Sequence, residues 1–267
     1  MEERCQKGSG PDQSVSCLFC GKTLERRTLA FAGRVIYGGI QDCNCAASVA
    51  AMDRIEQEVA YEQRRLEADE RQKKIAALFY RSGIGARFQD RTFATYHADT
   101  PQKQAAVNVA HEFVEVFETD RRAQGLFFYG SVGTGKTHLA AAIANEVMTR
   151  LMAPVLFGTS TALLSRIKSG WADKSDEEAL NMLCTVPLLI IDDLGKEYAK
   201  RNADGWSWVH EQLYHVINRR YEDYLPVIVT TNFDLPELEK KIDASVVSRI
   251  IESCRGVECD WEDHRCL

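Results

Sequence analysis

"LFFYGSVGTGKTHLAAAIANEV", residues 126–147, joins an apolar run to an amphipathic one through a glycine-rich turn. Leu126, Phe127 and Phe128 suit a buried strand, while Leu139, Ile143, Val147 and Leu151 recur every fourth residue and predict a helix. Between them Gly130, Gly135, Lys136 and Thr137 satisfy G-x-x-x-x-G-K-[ST]. Backbone N–H groups in such a turn converge on phosphate oxygens, aided by the positive end of the helix. The residues read as nucleotide-binding are therefore Gly130, Ser131, Val132, Gly133, Thr134, Gly135, Lys136, Thr137 and His138. Lys136 is expected to reach the β and γ phosphates and the Thr137 hydroxyl to ligate Mg²⁺. The turn is read as a cradle for ATP.

Working outward, strand-like runs alternate with helical ones from about residue 81 onward, as in an α/β fold with a parallel sheet. "PVLFGT", "LLIID" and "VIVTTN" each end at a loop, where open α/β sheets bind ligands. In "PLLIIDDLGKE", residues 187–197, Asp192 is expected to hold Mg²⁺ and Asp193 to orient and polarise an attacking water. Asn232, at the tip of the next strand, can hydrogen-bond the γ phosphate or that water. In "SVVSRIIE", Arg249 interrupts an apolar helical run; burying it unpaired is costly, so it is expected to point out of the subunit, where it can serve as an arginine finger. Lys136, Asp192, Asp193, Asn232 and Arg249 are the catalytic candidates.

Composition limits the alternatives. The 267 residues are 45% apolar, enough for a sizeable core, and carry a formal net charge of −6, which argues against wholesale coating of nucleic acid. No apolar run approaches the roughly 20 residues needed to span a bilayer, and "MEERCQKGSG" is not a signal peptide. A cytoplasmic protein without membrane partners is expected. Residues 49–80 contain neither Gly nor Pro, mix charges of both signs, and read as one long solvated helix.

Nine cysteines, an odd number with no secretion signal, favour thiol or metal chemistry over disulfides. Cys17 and Cys20 stand at C-x₂-C spacing and Cys43 and Cys45 form a C-x-C pair. Two short β runs about Gly33 would form a hairpin bringing the pairs together, as in a zinc ribbon. Structural Zn²⁺ on Cys17, Cys20, Cys43 and Cys45 is weighed against unrelated free thiols, with Cys5 an alternative ligand. Cys184, Cys254, Cys259 and Cys266 show no partner set, and His138, His210 and His215 form no metal-like group. "STALLSRIKSGW", residues 160–171, offers Arg166, Lys168 and Trp171 to single-stranded DNA, or else is an ordinary solvated helix with Leu163, Leu164 and Ile167 facing the core.

The order "GSVGTGKTH", "LLIIDDLG", "TTN", "SRI" resembles that of AAA+ ATPases, and within them the bacterial replicative helicase loader group of DnaC and DnaI. "SGIGARFQDRTFATY", residues 82–96, looks like the segment preceding the ATPase core in those loaders and in the similar IstB transposition ATPases. The resemblance covers about residues 82–267. It implies a P-loop NTPase sheet of order 5-1-4-3-2 with helices on both faces and no lid domain. Lys136 and Thr137 would be the Walker A residues, Asp192 and Asp193 the Walker B pair, Asn232 the first sensor, and Arg249 a finger acting in trans. Arg265 is either a substitute for the lid's nucleotide-sensing Arg or an exposed tail residue. Many AAA+ enzymes carry Glu where Asp193 stands, so slow turnover suiting a switch is implied. Together with the cysteine and charge patterns of the first 81 residues, the expected architecture is a zinc-binding module over 1–48, a helical linker over 49–81 and the ATPase over 82–267. The implied function is loading of a hexameric replicative helicase, with single-stranded DNA as a second partner and a homo-oligomer in the ATP state. The rival readings are an IstB-like transposition helper and a nucleotide-binding pseudo-ATPase adaptor.

Overall fold

The structure, a computed structural model, describes residues 15–24, 26–31, 34–40, 42–168, 175–196 and 208–262. The chain divides into two compact units, the first ending at Arg71 and the second beginning at Gln72.

In the first unit, β1 (Val15–Ser16) pairs antiparallel with β2 (Thr23–Leu24), and β3 (Arg26–Phe31) with β4 (Arg34–Ile40). The β3–β4 pair is the hairpin that the sequence suggested. The turn between β1 and β2 closes on itself: Gly21 N–H donates to the Cys17 carbonyl at 2.9 Å and Cys17 N–H to the Lys22 carbonyl at 2.8 Å. Gly21 has φ +71°, a conformation that costs a residue without a Cβ little. The chain then enters α1 (Ala46–Ser82), of which only Ser82 is buried. Over most of its length it relies on local terms such as the exposed Arg65–Glu62 pair at 3.3 Å, a contact worth about 0.2–0.5 kcal/mol, while Leu78 and Phe79 near its end pack against the core of the second unit. This is the long solvated helix read from the charge pattern.

The second unit continues with α2 (Ala86–Gln89), α3 (Pro101–Thr119), β5 (Gly125–Tyr129), α4 (Lys136–Thr149), β6 (Val155–Thr159), α5 (Ser160–Lys168) and α6 (Asp176–Thr185). It ends with β7 (Leu188–Asp192), α7 (Trp208–Glu222), β8 (Val227–Thr230), α8 (Leu235–Lys241), α9 (Ala244–Ser253) and β9 (Cys254–Glu258). Helix starts follow local chemistry. Thr100, Ser175, Asp234 and Asp243 each accept a backbone N–H of the first turn, and Ser175 with Glu178 forms a complete capping box.

The five strands form one parallel sheet, ordered β6-β7-β8-β5-β9. Numbered within this unit, that is 5-1-4-3-2 read from the other edge, as the resemblance implied. Side chains alternate along the strands, so each strand feeds two cores. Leu126, Phe128, Phe157 and Ile190 pack on one face with α3 and α4; Phe127, Leu156, Leu189 and Ile191 pack on the other with α5 to α9. Leu139, Ile143 and Val147 are fully buried on α4. Leu163 and Leu164 face the core as the sequence suggested. Among the described residues, no helix is long and apolar enough to cross a membrane.

Candidate functional site

The turn between β5 and α4 has the backbone its glycines allow. Gly130, Gly133 and Gly135 adopt φ of +122°, +80° and +89°. A Cβ at Gly130 would lie 2.5 Å from the Cys259 carbonyl oxygen, and one at Gly135 would lie 2.6 Å from the Tyr96 ring. Lys136 opens α4 and is buried, its ammonium turned into the loop to donate to the carbonyls of Gly130 (2.8 Å) and Ser131 (2.5 Å). Burial lowers its pKa.

The parallel register brings the tips of β7 and β8 to the same end of the sheet. Asp192 is buried at the last position of β7, where its Oδ1 accepts from the Thr137 hydroxyl at 2.8 Å and the Thr230 hydroxyl at 2.6 Å. Burial raises its pKa against those two donors. Thr137 and Asp192 therefore present two oxygens from separate motifs at one point, an arrangement that could hold a divalent cation. Asp193 follows with φ +57°, and its backbone N–H donates to the Thr230 hydroxyl at 2.9 Å. Its carboxylate accepts from Asn232 Nδ2 at 2.9 Å and pairs with Lys196 at 2.9 Å. Four of the five catalytic candidates thus converge through a chain of hydrogen bonds or by position at the head of α4.

Arg249 stands apart from that chain. It is half-buried on α9 and its guanidinium lies over the Tyr214 ring, 4.9 Å from the centroid, donating to Asn218 Oδ1 at 2.6 Å and to the Ser245 carbonyl at 3.1 Å. Within the chain it is thus laid on α7 by polar contacts, where the sequence suggested only that it faces outward. His138 directs its ring away from the loop: Nε2 is 2.9 Å from the Thr92 carbonyl oxygen and 3.2 Å from Thr95 Oγ1. The side chains of Arg166, Ile167 and Lys168, and residues Cys5, Trp171, Arg265 and Cys266, lie outside what the structure describes.

Several residues that build the site or the sheet beneath it are not singled out by the sequence. Thr230 reads there only as a strand end, yet its hydroxyl links Asp192 to the Asp193 backbone. Tyr96 and Trp261 both donate to the Thr134 carbonyl, at 3.0 and 2.8 Å. Arg220 is 1% exposed and donates to the carbonyls of Leu183, Cys184, Val186, Pro187 and Pro226, tying the end of α6 to the starts of β7 and β8. Its spacing from Leu213, Val216 and Ile217 puts it on the buried face of α7, a signal available in the sequence.

A second cluster lies in the first unit. The sulfurs of Cys17, Cys20, Cys43 and Cys45 all lie within 4.8 Å of one another; Cys17 and Cys45 are 3.9 Å apart, Cys20 and Cys43 3.4 Å. Four thiolates at about 2.3 Å from a tetrahedral zinc would stand about 3.8 Å apart, and a disulfide needs about 2.05 Å. The cluster fits a metal and not a covalent pair. Backbone N–H groups of Phe19 and Ser48 point at the sulfurs of Cys17 and Cys45, both at 3.4 Å. The Cys20 and Phe19 amides lower the Cys17 pKa to about 7, whereas at Cys43 the amide of Cys45 is outweighed by the Cys20 sulfur and by burial, which push it up to about 12. Among the described residues the cluster is the one such group.

The chain is similar to known proteins in sequence and in fold. A family profile described as "IstB-like ATP binding protein" matches residues 43–266. The replicative helicase loader DnaC of Escherichia coli (strain K12) is 30% identical over 203 residues, covering 75% of this chain and 79% of that protein. The replicative helicase loader DnaI of Bacillus subtilis (strain 168) is 27% identical over 209 residues, covering 73% of this chain and 65% of that protein. A crystal structure of the DnaC helicase loader superposes with a TM-score of 0.56 at 28% identity, covering 66% of this chain and 99% of that one. With its phosphate loop, its Asp pair and its 5-1-4-3-2 parallel sheet, the chain belongs to the IstB-like ATP-binding protein family, on an AAA+ P-loop fold related to the DnaC and DnaI helicase loaders.

Proposed function

We propose that the protein is an ATP-dependent loader of a hexameric replicative DNA helicase, hydrolysing ATP slowly as a switch. The observation that carries the ATPase part is the Thr137–Asp192 hydrogen bond, with Asp193 held alongside by Asn232. ATP with Mg²⁺ supplies the β–γ phosphoanhydride bond and the charge that neutralises its phosphates. Lys136 would meet the phosphates, Thr137 and Asp192 would hold the cation, and Asp193, itself held by Asn232, would orient the attacking water. Slow turnover fits the Lys196–Asp193 pair, which occupies the second oxygen of the base.

The loader assignment is supported by the similarity to the two named loaders over the ATPase region. On this reading residues 1–48 form a zinc-binding module on Cys17, Cys20, Cys43 and Cys45 that holds the helicase, 49–81 are a helical linker, and 82–267 are the ATPase domain, which contacts single-stranded DNA. The protein would act in the cytoplasm. Co-purification with a replicative helicase in the presence and absence of ATP tests it: complex formation that responds to ATP is expected, and no complex in either condition overturns the assignment. The name of the matching family favours a second reading, a transposition helper. Its mark would be ATP-dependent binding to duplex DNA and a transposase with no helicase captured.

Arg249 is proposed to act on the nucleotide of a neighbouring copy in the ATP-state oligomer. Arg249→Ala should keep ATP binding and lose turnover toward the roughly thousandfold deficit of a missing arginine finger. Mixing it with Asp193→Asn protein should restore activity, because one interface then combines an intact finger with an intact Asp pair. No rescue at any ratio would refute action between subunits.

A further inference from the structure

Three consecutive residues after β9 run along the back of the phosphate loop. Cys259 N–H donates to the Tyr129 carbonyl at 2.7 Å, and its own carbonyl fills the space where a Gly130 Cβ would stand. Asp260 accepts from the Ser131 hydroxyl at 2.5 Å. Trp261 Nε1–H donates to the Thr134 carbonyl at 2.8 Å. From the other end of the domain, the Tyr96 hydroxyl donates to the same carbonyl at 3.0 Å and its ring lies against Gly135. Tyr96 is itself held beside α4, where its ring meets His138 edge-on, and Asn145 Nδ2 donates to the carbonyls of Phe88, Gln89 and Arg91.

Two donors on one carbonyl have a definite consequence for the next amide. The chain has no cis peptide among its described residues, and in a trans peptide the C=O and the following N–H point in opposite directions. Holding the Thr134 carbonyl outward, onto Tyr96 and Trp261, directs the Gly135 N–H inward, toward the concave side where phosphate oxygens would sit. Gly135, at φ +89° and without a Cβ, is the residue most free to let that peptide flip. A flipped peptide would place a carbonyl oxygen against phosphate and remove a donor at once.

We propose that Tyr96 and Trp261 are positioning residues for nucleotide binding: acting through the Thr134 carbonyl, they lock the peptide between Thr134 and Gly135 in its anion-binding orientation. This rests on the phosphate-loop reading above. Both act through the Thr134 carbonyl, by a hydroxyl and an indole N–H. They come from segments about 165 positions apart, 96 and 261, so the loop reaches its full affinity when both flanks of the domain are docked.

The test uses Tyr96→Phe, Trp261→Phe and the double variant in the full-length protein. Each change keeps an aromatic ring and removes the donor. Affinity for a fluorescent ADP, and inhibition by inorganic pyrophosphate, are measured beside thermal denaturation. Each single change should weaken ADP about threefold and the double about tenfold or more, the scale of one and two lost hydrogen bonds. Pyrophosphate, which contacts the loop alone, should weaken by the same factor, and the KM for ATP should rise while kcat holds. Unchanged pyrophosphate affinity in a folded double variant overturns the proposal. If Trp261→Phe fails to fold, Tyr96→Phe alone decides by the same criterion. Wild-type protein that is folded yet binds neither ADP nor pyrophosphate would instead overturn the phosphate-loop reading beneath it.

Discussion

The two units keep their shape by different means. In the second, five strands feed two apolar cores, and residues such as Phe128, Leu139, Ile143 and Ile190 are excluded from water altogether. In the first, there are two short antiparallel pairs and a cluster of four sulfurs, and Leu18 and Phe19, between Cys17 and Cys20, are 85% and 57% exposed. Among its described residues only Cys17 and Cys43 are buried apolar side chains, little to offset the entropy of ordering the chain. If the cysteine cluster binds a metal, the chain joins a metal-dependent element to a core-dependent one, and each is expected to fail alone.

Removing the metal should break the comparison most sharply. If one Zn²⁺ binds per chain, its affinity, on the order of 10–16 kcal/mol for structural zinc at neutral pH, is folding free energy for the first unit only. Cys17→Ser with Cys20→Ser should abolish zinc content and helicase capture while leaving ATP binding and the main thermal transition in place. Metal analysis finding no zinc in protein purified without chelator would end the zinc assignment, and full helicase capture by the double variant its partner role.

Within the second unit, Arg220→Ala should destabilise by about 3–5 kcal/mol, because five carbonyls around a buried cation lose their donor together. Zinc content should not change. A loss under about 1 kcal/mol in chemical denaturation would show that those carbonyls find other partners. A smaller structural effect is expected of Lys136→Ala, whose partners are carbonyls of the loop itself. It should weaken ATP by on the order of a hundredfold and leave the melting temperature nearly unchanged. ATP affinity equal to wild type would sink the phosphate-loop assignment.

Much of this is legible in the sequence, for reasons that differ by residue. The strands at Leu126, Val155, Leu188 and Val227 are apolar runs ended by a turn or a polar tip, a local signal. β9 is not located by such a signal, although the resemblance implied a fifth strand. Its Cys254 and Val257 are buried, but Arg255, Gly256 and Glu258 are exposed, as suits the edge of a sheet. The hairpin between the cysteine pairs reads from two short β runs, and the sulfur spacing in the folded chain agrees with it. Arg220 sits on a readable apolar face, yet nothing local says that five carbonyls will meet it there.

By itself the sequence determined the chemistry of the phosphate loop, because glycine placement, Lys136 and Thr137 lie within one turn of chain and need only local backbone geometry. It also determined the existence of the cysteine pairs and of the long polar helix, which follow from short spacings and composition. Only the tertiary structure decided which hydroxyls reach Asp192, that Arg249 lies on Tyr214, and that Tyr96 and Trp261 meet at the Thr134 carbonyl. Those contacts join residues tens to more than a hundred positions apart. The parallel register and the packing of both chain flanks against α4 and β5 bring them together, and no local pattern encodes that distance.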